Sequence, residues 1–227
     1  MKFGIVVFPG TNCERDTAAA VEIAGGQAEL VWHADDSPLQ RFDGLILPGG
    51  FAHGDALRAG AIARFSAVMP RVMELAQTGR PVVGICNGFQ VLVECGLLPG
   101  ALLRNDSLQF RAEWVHCRVE VSAPPLTEGI PVGTLLYMPV AHGMGNYCED
   151  ERSPLGGETL VALRYCDANG DAAAAANPNG SAGNIAGIVR GNVFGLMPHP
   201  ERAVSPLLGS VDGLALFKSL TRSLVAA

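Results

Sequence analysis

Apolar and polar positions fall into two regimes along this chain. Phe3–Phe8 is an unbroken apolar run of strand length, the pattern of a strand covered on both faces. Pro9-Gly10-Thr11-Asn12 is a turn that ends in residues suited to cap a helix. Positions 14–24 read as that helix, closed by Gly25-Gly26. Ala28–Trp32 and Leu45–Leu47 are a second and a third strand, the latter stopped by Pro48-Gly49-Gly50. Positions 57–77 carry helical spacing, with Pro70 forcing a break or a new first turn. Pro81–Ile85 is a fourth strand, and a short helix runs from Asn87-Gly88 to Cys95. Strands alternating with helices favour a parallel sheet with helices packed over it.

The second half reads differently. His116–Val121, Thr134–Met138, Thr159–Tyr165, Ile185–Arg190 and Val193–Leu196 are shorter and more alternating, with Pro, Gly and Asn turns between them. They are expected to be antiparallel strands added to the same domain. Ala172–Ala176 reads as a surface link. Leu214, Phe217, Leu220 and Leu224 fall at helical spacing and predict a C-terminal helix buried along one face. No internal repeat or long linker divides the chain. The expectation is an α/β fold over residues 1–227 as a single domain, with a mostly parallel central sheet flanked by helices and antiparallel strands in the second half.

Composition narrows the function. Hydrophobic residues make up 48% and charged residues only 17%, against about 25% charged in an average domain, which excludes a disordered chain. The net charge is -6 and no Lys/Arg cluster exists, so nucleic acid is not an expected partner. No apolar stretch reaches the roughly 18–20 residues of a membrane span, and the N-terminal run is too short for a signal peptide. Cys13, Cys86, Cys95, Cys117, Cys148 and Cys166 form no C-x-x-C pair, and the five histidines are scattered, so no zinc framework is evident. These features predict a cytoplasmic protein with reduced thiols, most of them buried and structural. Glycine is in excess, 28 of 227 residues. At that density it is either flexible filler or a set of special backbone positions.

The strongest chemical signal is Val82-Val83-Gly84-Ile85-Cys86-Asn87-Gly88-Phe89-Gln90, a strand running through G-x-C-x-G into a helix. This is a nucleophile elbow with sulfur in place of oxygen. Roughly 0.1 such matches are expected by chance from this composition, before the strand–helix context is required. The elbow places Cys86 at a helix N-terminus, where the dipole favours an anion. A sulfur nucleophile needs a base, itself oriented by a third group. Among the histidines, His199 stands out in Met197-Pro198-His199-Pro200-Glu201, where i, i+2 spacing in an extended segment puts Glu201 on the same side. Leu47-Pro48-Gly49-Gly50-Phe51 follows a buried strand and can aim backbone N–H groups at a developing oxyanion, with the Asn87 N–H as second donor.

Together these segments resemble the class I (triad-type) glutamine amidotransferases, and within them the glutaminase subunits of phosphoribosylformylglycinamidine synthase. The resemblance spans nearly the whole chain. It is carried by Phe8–Cys13, Leu47–Phe51 with Gly54-Asp55, Leu57–Ala61, Gly84–Gln90, Gly96–Gly100, Asn177–Ser181 and Gly195–Arg202. It implies the flavodoxin-like class I glutaminase fold. It further implies Cys86 as nucleophile, His199 as base, Glu201 as its orienting partner, and Gly50 and Asn87 as oxyanion donors. Gln90, Gly49 and Phe51 are then contacts for L-glutamine. The implied partners are a synthetase subunit of the PurL type, which uses ATP and Mg, and a small bridging subunit of the PurS type. This chain has no P-loop and needs no cofactor of its own. One departure stands out: Met144 in Ala141–Tyr147 occupies a place where similar loops usually carry an acidic residue. Other readings are a class I glutaminase serving a different synthetase, a non-catalytic glutaminase-like regulatory subunit, and a cysteine hydrolase of the peptidase or deglycase type. The last usually places its base soon after the elbow, whereas His199 follows Cys86 by more than a hundred residues.

Overall fold

The computed structural model describes residues 1–149, 155 and 158–222. In chain order it forms β1 (Lys2–Val7), α1 (Glu14–Ile23), β2 (Gln27–Trp32), β3 (Gly44–Leu47), α2 (Met69–Gln77), β4 (Val82–Ile85) and α3 (Asn87–Glu94). There follow β5 (Ala101–Leu103), β6 (Arg111–Val119), β7 (Leu135–His142), β8 (Asn146–Cys148), β9 (Thr159–Cys166), β10 (Ile185–Arg190), β11 (Val193–Leu196) and α4 (Asp212–Arg222). One nine-stranded sheet runs β2-β1-β3-β4-β11-β10-β9-β6-β7, and β5 and β8 form a small second sheet. The chain is therefore α/β, with helices over a sheet that is parallel from β2 to β11 and antiparallel from β11 to β7.

Local chemistry explains the elements that carry the site. Every residue of β3, β4 and β11 is buried, as a central strand covered by helices requires. Glu14 and Asp16 sit in the first turn of α1, where acidic groups complement the helix dipole. Pro70 begins α2 rather than breaking a longer helix, because its missing N–H is one the first turn leaves unpaired anyway. Leu216, Phe217 and Leu220 bury one face of α4. Leu224, the last of the predicted stripe, lies outside the described residues.

Three expectations are corrected. β11 is parallel to β4, not a member of an all-antiparallel second half, and it alone joins the two halves of the sheet. Positions 57–62 form turns, and only Ala63–Phe65 makes a short 3-10 turn before α2. The residue capping α1 is Cys13, not Thr11 or Asn12, and its side chain makes no capping bond. Asn12 N–H and Cys13 N–H are instead drawn to the Gly49 carbonyl, at 3.3 and 3.2 Å.

Candidate active site

β4 and β11 are adjacent and in register, with Gly84 opposite Gly195 and Ile85 opposite Leu196. The segments leaving their C-terminal ends therefore start side by side. One carries Cys86 and the other His199. Cys86 N–H donates to the Leu196 carbonyl at 2.7 Å, which locks the elbow to β11. The Cys86 backbone has φ 50° and ψ -106°, outside the regions a non-glycine residue prefers. That strain turns the chain from strand to helix within one residue. It is held by close packing on both sides: a Cβ at Gly84 would sit 2.6 Å from the Gly88 carbonyl carbon, and one at Gly88 would fall on the Leu47 carbonyl oxygen.

His199 and Glu201 are both buried, and His199 Nδ1 lies 2.6 Å from Glu201 Oε1. The His199 N–H donates to the Pro139 carbonyl at 2.8 Å, which anchors the loop to β7. His199 Nε2 has no hydrogen-bond partner among the described residues. Burial alone disfavours a charged imidazole here. The Glu201 carboxylate and then the Cys86 sulfur outweigh it and hold His199 well above the ordinary imidazole range. The histidine thus has one nitrogen fixed by a carboxylate and the other free to work.

The glycine pair completes the arrangement. Gly49 lies against the histidine, where a Cβ would meet His199 Cε1 at 2.6 Å. Gly50 sits opposite Thr11 in an isolated antiparallel bridge whose hydrogen bonds are Asn12 N–H to Gly49 and Phe51 N–H to Gly10. Gly50 is the unbonded residue of that pair, so its own N–H points away from the bridge. Its φ of 149° and the backbone of Thr11 and Asn12 packed against it require glycine. The Asn87 N–H, at the first position of α3, has no carbonyl a turn earlier to bind.

Cys86 opens into a cleft that Gly50, Phe51 and Gln90 also line, closed on the far side by Phe110 and the 141–144 segment. Of the expected substrate contacts, Phe51 and Gln90 reach the cleft, and Gly49 stands behind it. Gln90 is heavily engaged: its Nε2 donates to the Met144 carbonyl at 2.6 Å and its Oε1 accepts from Asn87 Nδ2 at 2.8 Å. Asn87 also accepts from the Ala52 N–H at 3.0 Å and donates to Asp55 Oδ1 at 3.2 Å. One side chain thus couples the elbow to the 50–55 loop.

Several buried polar residues that shape the cleft leave no pattern in the sequence. Asn105 accepts from the Gly145 N–H at 2.9 Å, donates to the His142 carbonyl at 2.9 Å, and lies 3.1 Å from His142 Nδ1. Asn179 Nδ2 meets His142 Nε2 at 3.4 Å and the Tyr165 hydroxyl at 3.3 Å. Burial, helped by the nearby His199, pushes His142 down to about 4, so this imidazole is neutral at pH 7. Asn179 sits in the Asn177–Ser181 segment and His142 in Ala141–Tyr147, both noted in the sequence, but nothing in either segment signals that the two side chains meet.

The other cysteines divide. Burial pushes the Cys95, Cys117 and Cys166 thiols up, which makes them poor nucleophiles. Cys13 is unlike them: its Sγ lies 4.0 Å from His199 Nδ1 and accepts from Arg202 Nη2 at 3.0 Å. Cys13, His199 and Glu201 bring donor atoms within 4.8 Å of one another, a spacing that could hold a metal ion. His199 Nδ1 and Glu201 Oε1 are engaged with each other and Cys13 Sγ with Arg202, whose positive charge opposes a cation.

A family model described as the CobB/CobQ-like glutamine amidotransferase domain matches residues 1–213, which sets the class of this fold and site. The phosphoribosylformylglycinamidine synthase subunit PurQ of Moorella thermoacetica is 49% identical over 97% of this chain and 95% of its own length. That of Thermus thermophilus is 52% identical over 98% of each. A chain in the structure of PurLQS from Thermotoga maritima superposes with a TM-score of 0.88 at 41% identity, covering 98% of both. A glutamine amidotransferase from Thermotoga maritima at 15% identity, TM-score 0.65, shares the fold. The chain belongs to the PurQ family of phosphoribosylformylglycinamidine synthase subunits.

Proposed function

We propose that this chain is a single glutaminase domain in which Cys86 attacks the side-chain amide of L-glutamine. Ammonia from that reaction passes to a PurL-type synthetase, held together with a PurS-type bridging subunit, which converts formylglycinamide ribonucleotide to the amidine. The convergence of Cys86 and the His199–Glu201 pair at the ends of two neighbouring strands carries this reading. Sulfur adds to the amide carbon, and the carbonyl electron pair moves onto oxygen. The Gly50 and Asn87 N–H groups receive that oxyanion. His199 delivers its proton to the departing nitrogen, ammonia leaves, and a thioester to Cys86 remains. Water, deprotonated by His199, then adds to the thioester; glutamate departs and the thiol is restored. ATP and Mg act in the synthetase, and no step here calls for a cofactor in this chain. Among the described residues, no helix is long and apolar enough to cross a membrane, which accords with a cytoplasmic site.

The test is the nitrogen source. In the reconstituted complex, Cys86→Ala should abolish glutamine-dependent amidine synthesis and leave synthesis from added ammonium salt within about twofold. Equal loss with both sources would place Cys86 outside the chemistry.

A further inference from the structure

The cleft around Cys86 holds one acidic side chain that the mechanism above does not use. Asp55 is the only carboxylate among the described residues of the lining, which holds no lysine or arginine, and its one histidine, His142, is held neutral. Asp55 is half-buried. Its Oδ1 accepts from Asn87 Nδ2 at 3.2 Å, and Oδ2 takes no partner among the described residues. Among the described residues no cationic side chain pairs with it. Burial pushes its carboxyl up, opposed in part by the Asn87 bond, so an approaching cation relieves a charge the protein leaves largely uncompensated.

The backbone says the placement is specific. His53, Gly54 and Asp55 have φ of 53°, 68° and 51°, three successive left-handed residues of which two carry side chains. Non-glycine residues adopt this conformation at a cost, and such strain persists where surrounding structure enforces it. Here it is enforced by the His53 N–H donating to Pro9 at 2.6 Å, the Gly54 N–H to Phe51 at 2.8 Å, and Asn87 gripping both Ala52 and Asp55. Asn87 directly follows Cys86, so the carboxylate is hydrogen-bonded to the residue next to the nucleophile.

We propose that Asp55 receives the α-ammonium group of glutamine and sets the preference for this amino acid over amides that lack the ammonium. In glutamine the amide carbon and the α-nitrogen are four bonds apart, about 5 Å when extended. With the amide at Cys86, the other end of the substrate carries the one positive charge the cleft has an anion to meet. The inference rests on the cleft being the glutamine site.

The experiment compares ammonia release from glutamine and from glutaramate, which keeps the amide and the carboxylate and lacks the ammonium, in the assembled complex. The wild type should prefer glutamine by about 10²-fold or more in kcat/KM. Asp55→Asn and Asp55→Ser should lose most of that preference, through a higher KM for glutamine, with glutaramate turnover within about threefold of wild type and ammonia-supported synthesis unchanged. A variant that keeps the preference overturns the proposal. So does a wild-type enzyme with no preference, a result that needs no variant to fold. If Cys86→Ala is silent with both amides while Asp55→Asn still discriminates, only the Asp55 assignment fails. If Cys86→Ala remains active, the glutamine site itself lies elsewhere.

Discussion

The proposed base, His199, is held in a buried pair with a carboxylate 2.6 Å away, and its neighbour His142 is buried among amides that accept only its neutral form. The two imidazoles therefore depart from the ordinary range in opposite directions. Glu201→Gln keeps the shape and removes the charge that favours protonated His199. Glutamine-dependent kcat should fall roughly 10²–10⁴-fold while ammonia-dependent synthesis persists. For His142 the consequence is stability. Between pH 6.5 and about 4 the unfolded chain binds a proton that the native His142 refuses, so stability falls as pH drops through that window. The loss is on the order of 3 kcal/mol, and urea titrations at several pH values should show it flattened in His142→Gln. The residues legible in the sequence were those whose own backbone announces them, Cys86 between glycines and His199 between prolines. Asn105, Asn179 and His142 act through contacts between distant segments, and a contact of that kind leaves no periodicity to read. Cys13 was read as structural for the same reason: only the fold brings it to His199 and Arg202.

At the level of elements, the site depends on how closely α3 approaches β3 and β4. Gly88→Ala places a methyl on the Leu47 carbonyl oxygen, backbone against backbone, with no flexible side chain to give way. It should destabilise the protein by several kcal/mol, on the order of 3 or more, and displace the elbow, so that both melting temperature and glutamine-dependent activity fall. The equivalent change at Gly25, which meets nothing within 4 Å, meets only its own positive φ of 91° and should cost about 1 kcal/mol. The glycine excess is thus partly a set of close approaches around one site and partly helix ends. The parallel strands were readable because double burial makes them continuously apolar. β11 was misassigned because four buried residues carry no sign of strand direction. β5 and β8, three residues each, are too short to show a pattern at all.

For the whole molecule, the sheet is continuous from β2 to β7, yet its two halves meet only at β11. The two tryptophans report on either side, Trp32 on β2 at one edge and Trp114 on β6 beside the other. If the sheet unfolds as one cooperative unit, Trp32→Phe and Trp114→Phe proteins, each with a single remaining fluorophore, should give coincident urea midpoints after allowance for the substitutions. Separate midpoints would show the halves melting independently at the β11 seam. The order in which the chain is made adds a further consequence. The sulfur of Cys86 and its helix belong to the early parallel half, but the strand that slots between β4 and β10 is among the last segments synthesised, and it delivers the imidazole and its carboxylate. Until that strand inserts, Cys86 lacks the proposed base. On the proposed mechanism the last strand to be made is also the one that completes the site, so a chain truncated before β11 should release no ammonia from glutamine.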